Sequence, residues 1–161
     1  MEIRTAELAD AGAIAEIYNQ EVSTSTVTFD LVPRTVEQQE AWLTARSGAH
    51  TVLVGIEAGA CVGFAAVSPY RDRPAYSTTV EDSIYVHREH HGRGVGRALL
   101  GSLVDTAGAH GFHTMIARIV GGHEASIALH RSVGFSVVGT EREVGRKFGR
   151  WLDVVVMQRM L

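Results

Sequence analysis

The most constraining feature of the sequence is a glycine-rich loop between a strand-like segment and an apolar-periodic helix, within residues 78–100. The strand-like segment reads V-E-D-S-I-Y-V, and the loop H-G-R-G-V-G opens the helix. Because glycine has no Cβ, Gly92, Gly94 and Gly96 let backbone N–H groups approach an anion closely, and the helix dipole favours negative charge at the same place. This order of parts predicts a backbone nest for a phosphate or pyrophosphate.

Two other nucleotide-binding loops have a different spacing. A Walker loop requires G-x-x-x-x-G-K-[ST], and no Lys follows these glycines. A dinucleotide fingerprint requires G-x-G-x-x-G early in a strand–helix–strand unit, whereas this loop reads G-x-G-x-G and lies past the middle of the chain. The simpler alternative is a glycine-rich turn that only starts a helix.

Length and composition limit the possible classes of protein. A chain of 161 residues with 45% hydrophobic content predicts one globular domain over residues 1–161. The net charge of −3, without a basic stripe that alternates with aromatics, argues against a nucleic acid partner. Cys61 is the only cysteine, which excludes an internal disulfide and a thiolate metal cluster. Since no signal-peptide pattern or membrane-spanning apolar run occurs, we expect a cytoplasmic protein without membrane contact.

Hydrophobic periodicity predicts an alternating order of strands and helices. A helix capped by Asp10 and a second one opened by a Thr35–Gln38 capping box precede a hairpin around E-A-G-A at residues 57–60. Residues 69–76 are predicted to form a loop, because Pro69 does not suit a central strand. Strands are predicted at residues 2–5, 51–56, 61–67, 78–86, 114–120, 136–144 and 152–160, with two further helices from the glycine loop to about 111 and at 125–133. We expect an α/β (α+β) fold in which helices cover both faces of a mixed, mostly antiparallel sheet of about seven strands.

Several motifs together resemble the GNAT superfamily of acyl-CoA N-acyltransferases. H-G-R-G-V-G resembles the [QR]-x-x-G-x-[GA] loop of that family, and G-H-E-A-S-I-A-L-H-R-S-V-G-F resembles its N-x-x-[SA]-x-x-[LF]-[YH]-x-x-x-G-[FY] element. The segments T-V-E-D-S-I-Y-V and G-R-K-F-G-R-W-L-D-V-V-V-M-Q, together with His130, are similar to the phosphinothricin and methionine sulfoximine acetyltransferases within it. The resemblance extends from the opening I-R-T-A-E-L-A-D to Arg159.

The resemblance implies acetyl-CoA as co-substrate and no metal. In the GNAT fold, the strands at 78–86 and 114–120 run parallel and splay apart, and the pantetheine arm pairs with the backbone in the opening. The resemblance also implies that His123 and Ser126 contact the co-substrate, although His91 replaces the family's Gln or Arg and His123 its Asn. The expected pantetheine contacts are Ile84, Tyr85 and Val86, and the expected pyrophosphate contacts are Gly92, Arg93, Gly94, Val95, Gly96 and Arg97.

Three side chains, Glu81, Asp82 and His130, are candidates for the proton transfers that acetylation of an amine requires, and Glu81 is the favoured base. A carboxylate can take the proton from an ammonium, and strand alternation places Glu81 and Asp82 on opposite faces. Glu81 matches the base of the resembling acetyltransferases, and its simpler alternative is an edge-strand residue that faces water. His130 is a candidate acid or base because its pKa lies near neutral pH, and its simpler alternative is a packing role in a helix.

The acceptor is expected to be a small amino acid with a compact polar head, such as phosphinothricin, methionine sulfoximine or methionine sulfone. Arg71 and Arg73 precede the Glu81 strand, and guanidinium groups bind carboxylate or phosphinate oxygens in bidentate fashion. The expected substrate-binding residues are Arg71, Asp72, Arg73, Glu81, Asp82 and Ser83. The family also implies a homodimer, in which residues 147–151 close the pocket.

Three alternatives remain open on the sequence. The acceptor could be a polyamine, an aminoglycoside or a protein N-terminus, or the chain could bind acetyl-CoA as a sensor without catalysis. Alternatively, His87, His90 and His91 could bind a metal ion, with Glu89 as the only nearby carboxylate.

Overall fold

The computed structural model describes residues 1–46 and 48–161. In this part of the chain, strands and helices alternate as the sequence predicts. Their order is β1 (Glu2–Thr5), α1 (Ala11–Thr24), α2 (Val36–Ala45), β2 (Val52–Glu57), β3 (Ala60–Pro69), β4 (Thr79–Val86), α3 (Val95–Ala109), β5 (Thr114–Val120), α4 (Glu124–Ser132), β6 (Ser136–Lys147) and β7 (Arg150–Met160).

The strands form one sheet with the order β1-β2-β3-β4-β5-β7-β6. All neighbouring strands are antiparallel except β4 and β5. This confirms the predicted mixed, mostly antiparallel sheet and its parallel pair. The parallel pair is hydrogen-bonded only from Thr79–Glu81 to Thr114–Ile116, so β4 and β5 separate beyond Glu81 and the β5-facing edge of β4 is left unpaired.

Helices cover both faces of the sheet, as predicted. One buried cluster joins α1 and α2 to β2 and β3 and includes Ile14, Tyr18, Leu43 and Phe64. The cluster on the opposite face joins α3 and α4 to β4 and β5 and includes Val80, Leu99, Leu103, Met115 and Ile127. None of the described helices is long and apolar enough to cross a bilayer.

Two local motifs confirm their sequence predictions. At the start of α2, the Thr35 hydroxyl accepts a hydrogen bond from the Gln38 backbone N–H at 3.2 Å, and the Gln38 side-chain oxygen accepts one from the Thr35 N–H at 2.9 Å. Between β2 and β3, Ala58 and Gly59 have φ values of +48° and +80°. Two consecutive residues with positive φ are typical of a type I′ hairpin turn.

Three predictions about local structure were wrong. Asp10 does not cap α1, because a 3₁₀ turn precedes the helix and the carboxylate instead accepts bonds from the Glu7 N–H and the Arg4 guanidinium. Pro69 ends β3 opposite Val80 rather than opening a loop, since the last residue of a strand needs no further ladder bond. Strand β6 continues to Lys147, beyond the predicted end at residue 144.

Candidate active site

A cavity of about 340 Å³ opens where β4 and β5 diverge. Its walls come from both strands, from α4 and from the loop after α1, so it connects the two helical layers through the sheet. The lining contains many of the residues that the sequence predicts at the site, namely Glu81, Asp82, Ser83, Ile84, Tyr85, Val86, His91, His123, Ser126 and His130.

The glycine loop follows β4 and leads into α3. Gly92 and Gly94 have φ values of +73° and +82°, and a Cβ at either position would meet no atom within 4 Å. Gly94 is the N-cap of α3, and the first N–H groups of a helix have no partner inside it. Val95 is buried, so it can contribute only its backbone. Unpaired donors, open space and the positive end of a helix fit a pyrophosphate.

The remaining residues of the loop have other contacts. Gly96 lies in the first turn of α3, where a Cβ would come within 3.2 Å of a leucine on α4, so glycine allows the two helices to approach. Arg97 is exposed at the same end of α3. Arg93 turns away from α3, with its guanidinium 3.0 Å from His90 Nδ1 and 3.3 Å from Glu57 Oε2.

The histidines near the loop bind separate protein groups. His91 Nε2 donates to the Val86 carbonyl at 2.9 Å, whereas His90 lies 3.3 Å from Glu57 and His87 Nδ1 accepts from the Glu89 N–H. Because the three rings serve different partners, they do not converge on one point that a metal ion could occupy. This arrangement argues against the metal-site alternative.

Glu81 lies on a central strand, with its side chain on the α1 face of the sheet. The edge-strand alternative is therefore wrong, because β4 lies between β3 and β5. Burial raises the pKa of the Glu81 carboxyl above its usual value of 4.5. The positive charge of Arg118 opposes this rise, whereas the carboxylates of Asp82 and Glu141 add to it. A half-buried carboxylate with a raised pKa is suited to proton transfer near neutral pH.

On the opposite face of the sheet, Asp82 and His130 form a buried pair. The His130 Nε2 donates to Asp82 Oδ2 at 3.1 Å and the Nδ1 donates to the Ser126 carbonyl at 2.7 Å. The His130 side chain is only 3% exposed and the Asp82 side chain only 1%. A carbonyl oxygen and a carboxylate oxygen as the two partners favour a proton on both ring nitrogens, and therefore the imidazolium form. Burial alone would lower the pKa of His130, but the Asp82 bond and charge outweigh it and raise this pKa.

The Asp82–His130 pair also reaches the cavity. Both residues line the cavity wall, and the second carboxylate oxygen, Asp82 Oδ1, is buried without a hydrogen-bond partner in the protein. His123, at the N-cap of α4, lines the same wall, and burial lowers its pKa below 6.5. The wall therefore combines two imidazoles whose pKa values are shifted in opposite directions, upward for His130 and downward for His123.

The loop after α1 covers the α1 side of the cavity. Thr28 and Phe29 line it, and the buried Lys147 ammonium donates to the Thr28 carbonyl at 2.8 Å. A Cβ at Gly145 would clash with the Phe29 ring, so glycine lets β6 pack directly on this loop. The β6–β7 hairpin thus holds the loop in place over the cavity.

The three predicted residues of the substrate loop differ in position. Arg71 is exposed and does not belong to the cavity lining, and its guanidinium lies 5.0 Å from the Tyr70 ring centroid. Its charge opposes the rise that burial causes in the pKa of Glu81, and it adds to the lowering that Arg118 causes in the pKa of Glu141. Asp72 and Arg73 are exposed and neither belongs to the cavity lining. The structure therefore brings Arg71, but not Asp72 or Arg73, into electrostatic range of Glu81.

Sequence reasoning missed Arg118 and Glu141. Arg118 lies on β5 and lines the cavity, and its guanidinium binds the Glu141 carboxylate with one bond of 3.0 Å from Nη1 to Oε1 and a second from Nη2 to Oε2. This bond lowers the pKa of Glu141. The only signal in the sequence is a charged residue inside the apolar segment T-M-I-A-R-I-V.

Known proteins are similar to this chain in both sequence and fold. An L-methionine sulfoximine/L-methionine sulfone acetyltransferase of Salmonella typhimurium is 43% identical over 100% of this chain and 95% of its own length. The crystal structure of a ribosomal-protein-alanine N-acetyltransferase from Brucella melitensis has a TM-score of 0.98 at 40% identity, and the match covers 100% of both chains. A phosphinothricin acetyltransferase from Sinorhizobium meliloti, solved in complex with AcCoA, has a TM-score of 0.95 at 41% identity over 99% of this chain and 88% of that one.

A family profile described as an acetyltransferase (GNAT) domain matches residues 3–156. The match includes every residue that lines the cavity, from Glu21 to Val154. The glycine loop at the start of α3 and the separated parallel strands beside it therefore have a common explanation: the chain belongs to the GNAT family of acetyltransferases.

Proposed function

We propose that this protein transfers an acetyl group from acetyl-CoA to the α-amino group of a small amino-acid-like acceptor of the phosphinothricin, methionine sulfoximine or methionine sulfone type. The observation that carries the proposal is Glu81, a half-buried carboxylate with a raised pKa in the cavity between β4 and β5. Relatives about 40% identical that carry such names support the acceptor class.

Backbone groups would hold the co-substrate. The N–H groups from Gly92 to Arg97, at the start of α3, would donate to the pyrophosphate. The edge of β4 at residues 84–86, which has no ladder bonds to β5 and holds only the His91 bond to the Val86 carbonyl, would pair with the pantetheine amides as a neighbouring strand does. The bound thioester supplies an electrophilic carbonyl carbon. We expect it to lie beside Glu81 and the Asp82–His130 pair, because all three residues line the same cavity.

Two protons must move during the transfer. Glu81, on the α1 face, takes the proton that the acceptor ammonium must lose before its nitrogen can attack the carbonyl carbon. His130 is the source of the proton that the departing thiolate gains, because the bond to Asp82 and its charge favour the protonated form of the ring. Since both ring nitrogens are bound to protein oxygens, the Asp82–His130 bond has to open for this transfer.

Arg71 would bind the acceptor carboxylate at the open end of the cavity. Its charge already acts on Glu81, so a zwitterionic amino acid could place its carboxylate near Arg71 and its ammonium near Glu81. A polycation would bring only positive charge to this guanidinium, which disfavours polyamines and aminoglycosides.

The whole chain, residues 1–161, would act as one catalytic domain in a cytoplasmic homodimer. Exposed aromatic side chains support the dimer: Phe148 and Trp151, at the tip of the β6–β7 hairpin, are 58% and 60% exposed. Exposed aromatics of this kind are typical of interfaces. The free thiol of Cys61 is compatible with a reducing compartment.

The test is a thiol-release assay with acetyl-CoA and a panel of acceptors. We expect turnover of phosphinothricin, methionine sulfoximine and methionine sulfone, and none of spermidine, an aminoglycoside or a peptide beginning with alanine. Glu81→Gln should lower kcat by about 10²- to 10⁴-fold without weakening acetyl-CoA binding. Glu16→Gln, an exposed carboxylate on α1, is the control. Turnover of the peptide or a polycation alone would overturn the acceptor class.

A further inference from the structure

Arg118 is a cation at the acceptor side of the cavity that the proposed mechanism does not use. Among the described residues that line the cavity, it is the only Lys or Arg. It interrupts the buried strand β5, and its charge acts directly on Glu81. Glu81 is the group that would bind the acceptor ammonium. Arg118 therefore lies within electrostatic range of the other charged groups of that acceptor.

The partner of Arg118 comes from a distant strand. Arg118 is paired with Val156 of β7, and Glu141 is paired with Val154 of the same strand, so the side chains of Arg118 and Glu141 meet across β7. The guanidinium binds the Glu141 carboxylate in bidentate fashion. A carboxylate or phosphinate of a ligand would bind a guanidinium with the same two bonds. Glu141 thus occupies the position on the Arg118 guanidinium that an anionic group of a ligand would take.

The ion pair can open at low cost. The Arg118 and Glu141 side chains are 31% and 38% exposed, and exposed ion pairs contribute little to stability. Glu141 also lies next to an irregular part of β6, where the register with β7 shifts between Glu141 and Gly145. An anion that enters the cavity can therefore replace Glu141 without disturbing a regular strand.

We propose that Arg118 is a second anion subsite, which binds an anionic head group on the acceptor, and that Glu141 competes with that head group for it. This inference rests on the proposed function and concerns its selectivity. A phosphinothricin-type acceptor carries an anionic phosphinate in addition to its carboxylate, whereas methionine sulfone carries a neutral head. Arg71 binds the carboxylate of either acceptor, and Arg118 favours the one with the second anion.

The experiment measures kcat/KM for phosphinothricin and for methionine sulfone in the full-length enzyme and reports their ratio. The ratio is used because Arg118 also affects the pKa of Glu81, which changes both reactions alike. Arg118→Ala should lower the phosphinothricin-to-sulfone ratio about tenfold, which corresponds to one charge-assisted hydrogen bond. Glu141→Gln should raise the same ratio, with the change in KM rather than kcat.

A purely structural ion pair predicts a different pattern. If the Arg118–Glu141 ion pair only holds β5 and β6 together, both substitutions lower the melting temperature. They then lower kcat/KM for the two acceptors by the same factor. The control is Arg131→Ala, which removes an exposed arginine on α4 and should leave the ratio unchanged. Turnover of both acceptors with an unchanged ratio in Arg118→Ala would overturn this inference alone. No turnover of either acceptor by the unmodified enzyme would overturn the proposed function together with it.

Discussion

At the scale of single residues, the charge environment of Glu81 determines when this carboxylate can act as a base. Burial raises its pKa, Arg118 and Arg71 oppose the rise, and Asp82 and Glu141 reinforce it. A general base must be deprotonated in the free enzyme, so activity is lost as the pH falls through the raised pKa. The acidic limb of the pH–rate profile should therefore lie at a pH above 4.5, which is the ordinary pKa of a glutamate.

Two substitutions should move this acidic limb in opposite directions. Arg118→Ala removes a positive charge that stabilises the Glu81 carboxylate, so the limb moves to higher pH. Glu141→Gln removes a negative charge and moves it to lower pH. The measurement is kcat/KM for methionine sulfone between pH 4 and pH 9, about the range over which a raised carboxyl pKa would be visible. A limb that stays in place in both variants would contradict the assignment of Glu81 as the base.

The Asp82–His130 pair should contribute to stability in a pH-dependent way. Because the pKa of His130 is higher in the folded protein than its usual 6.5, the contribution is complete below the unfolded value and is lost as the pH rises through the folded value. His130→Ala should cost about 3 kcal/mol just below the unfolded histidine value of 6.5, since it removes the charged partner of a buried carboxylate. We expect the cost to shrink above the folded pKa.

Urea unfolding of the two proteins across the pH range measures this difference. Asp82→Asn combined with His130→Ala is the control, because no unpaired buried charge remains and part of the lost stability should return. A constant cost at every pH, or additive effects of the two substitutions, would mean that the pair carries no charge.

The sequence predicts some of these residues and not others for a physical reason. Glu81 and Asp82 can be assigned to opposite faces because the side chains of a strand alternate with a period of two. The Arg118–Glu141 pair joins residues 23 positions apart in the sequence. These residues lie on strands separated by β7, so the contact depends on the order of strands in the sheet, which local patterns do not encode.

At the scale of secondary-structure elements, the glycines of α3 have two different roles. Gly94, at the N-cap, shapes the backbone for a ligand, whereas Gly101 is an ordinary residue of the helix interior. Gly94 has a φ of +82°, so Gly94→Ala forces an L-residue into the left-handed region at a cost of about 1 to 2 kcal/mol. We expect it to raise the KM for acetyl-CoA by distorting the backbone donors. KM and the melting temperature measured on the same variant check both effects.

Gly101 provides the matched control within the same helix. It lies in the interior of α3, where a Cβ would meet no atom within 4 Å, and its φ is not positive. Gly101→Ala should stabilise the protein by up to about 1 kcal/mol, because alanine favours helix more than glycine does, and leave the KM unchanged. Equal effects of the two substitutions on KM would argue against a pyrophosphate nest at Gly94.

The ends of elements were the least predictable part of the fold. The segment from Arg142 to Gly145 resembles the end of a strand in sequence, yet β6 continues through it as a bulge. Glu143 has a φ of +52° there and its backbone N–H bonds to Asp153 on β7. A contact to the neighbouring strand thus keeps the segment in the sheet, and such a contact cannot be recognised from propensity.

At the scale of the whole molecule, a ligand that fills the gap between β4 and β5 should stabilise the entire sheet. Acetyl-CoA binds only the folded state, so about a hundredfold excess over its Kd adds about 2.7 kcal/mol to the free energy of unfolding. For a chain of this length the melting temperature should rise by roughly 5 to 10 °C. Thermal unfolding with and without coenzyme A or acetyl-CoA tests this, with adenosine as a ligand that lacks the pantetheine arm.

An increase with adenosine equal to that with coenzyme A would show that the gap between the strands takes no part in binding. Hydrogen exchange of the amides in β4 provides a second measurement. Residues 84–86 have no ladder bonds to β5, so the amides among them that face the gap should become protected only with the pantetheine arm present.

The separation of β4 and β5 also has a consequence for the order of events in a catalytic cycle. Without a ligand in the gap, the acceptor side of the cavity is open through the sheet to the side of α4, and an amino acid would face solvent instead of a thioester. In the proposed mechanism the acetyl donor would therefore form one wall of the acceptor site. Steady-state kinetics should be sequential with a compulsory order, in which the nucleotide thioester binds first and the free thiol leaves last.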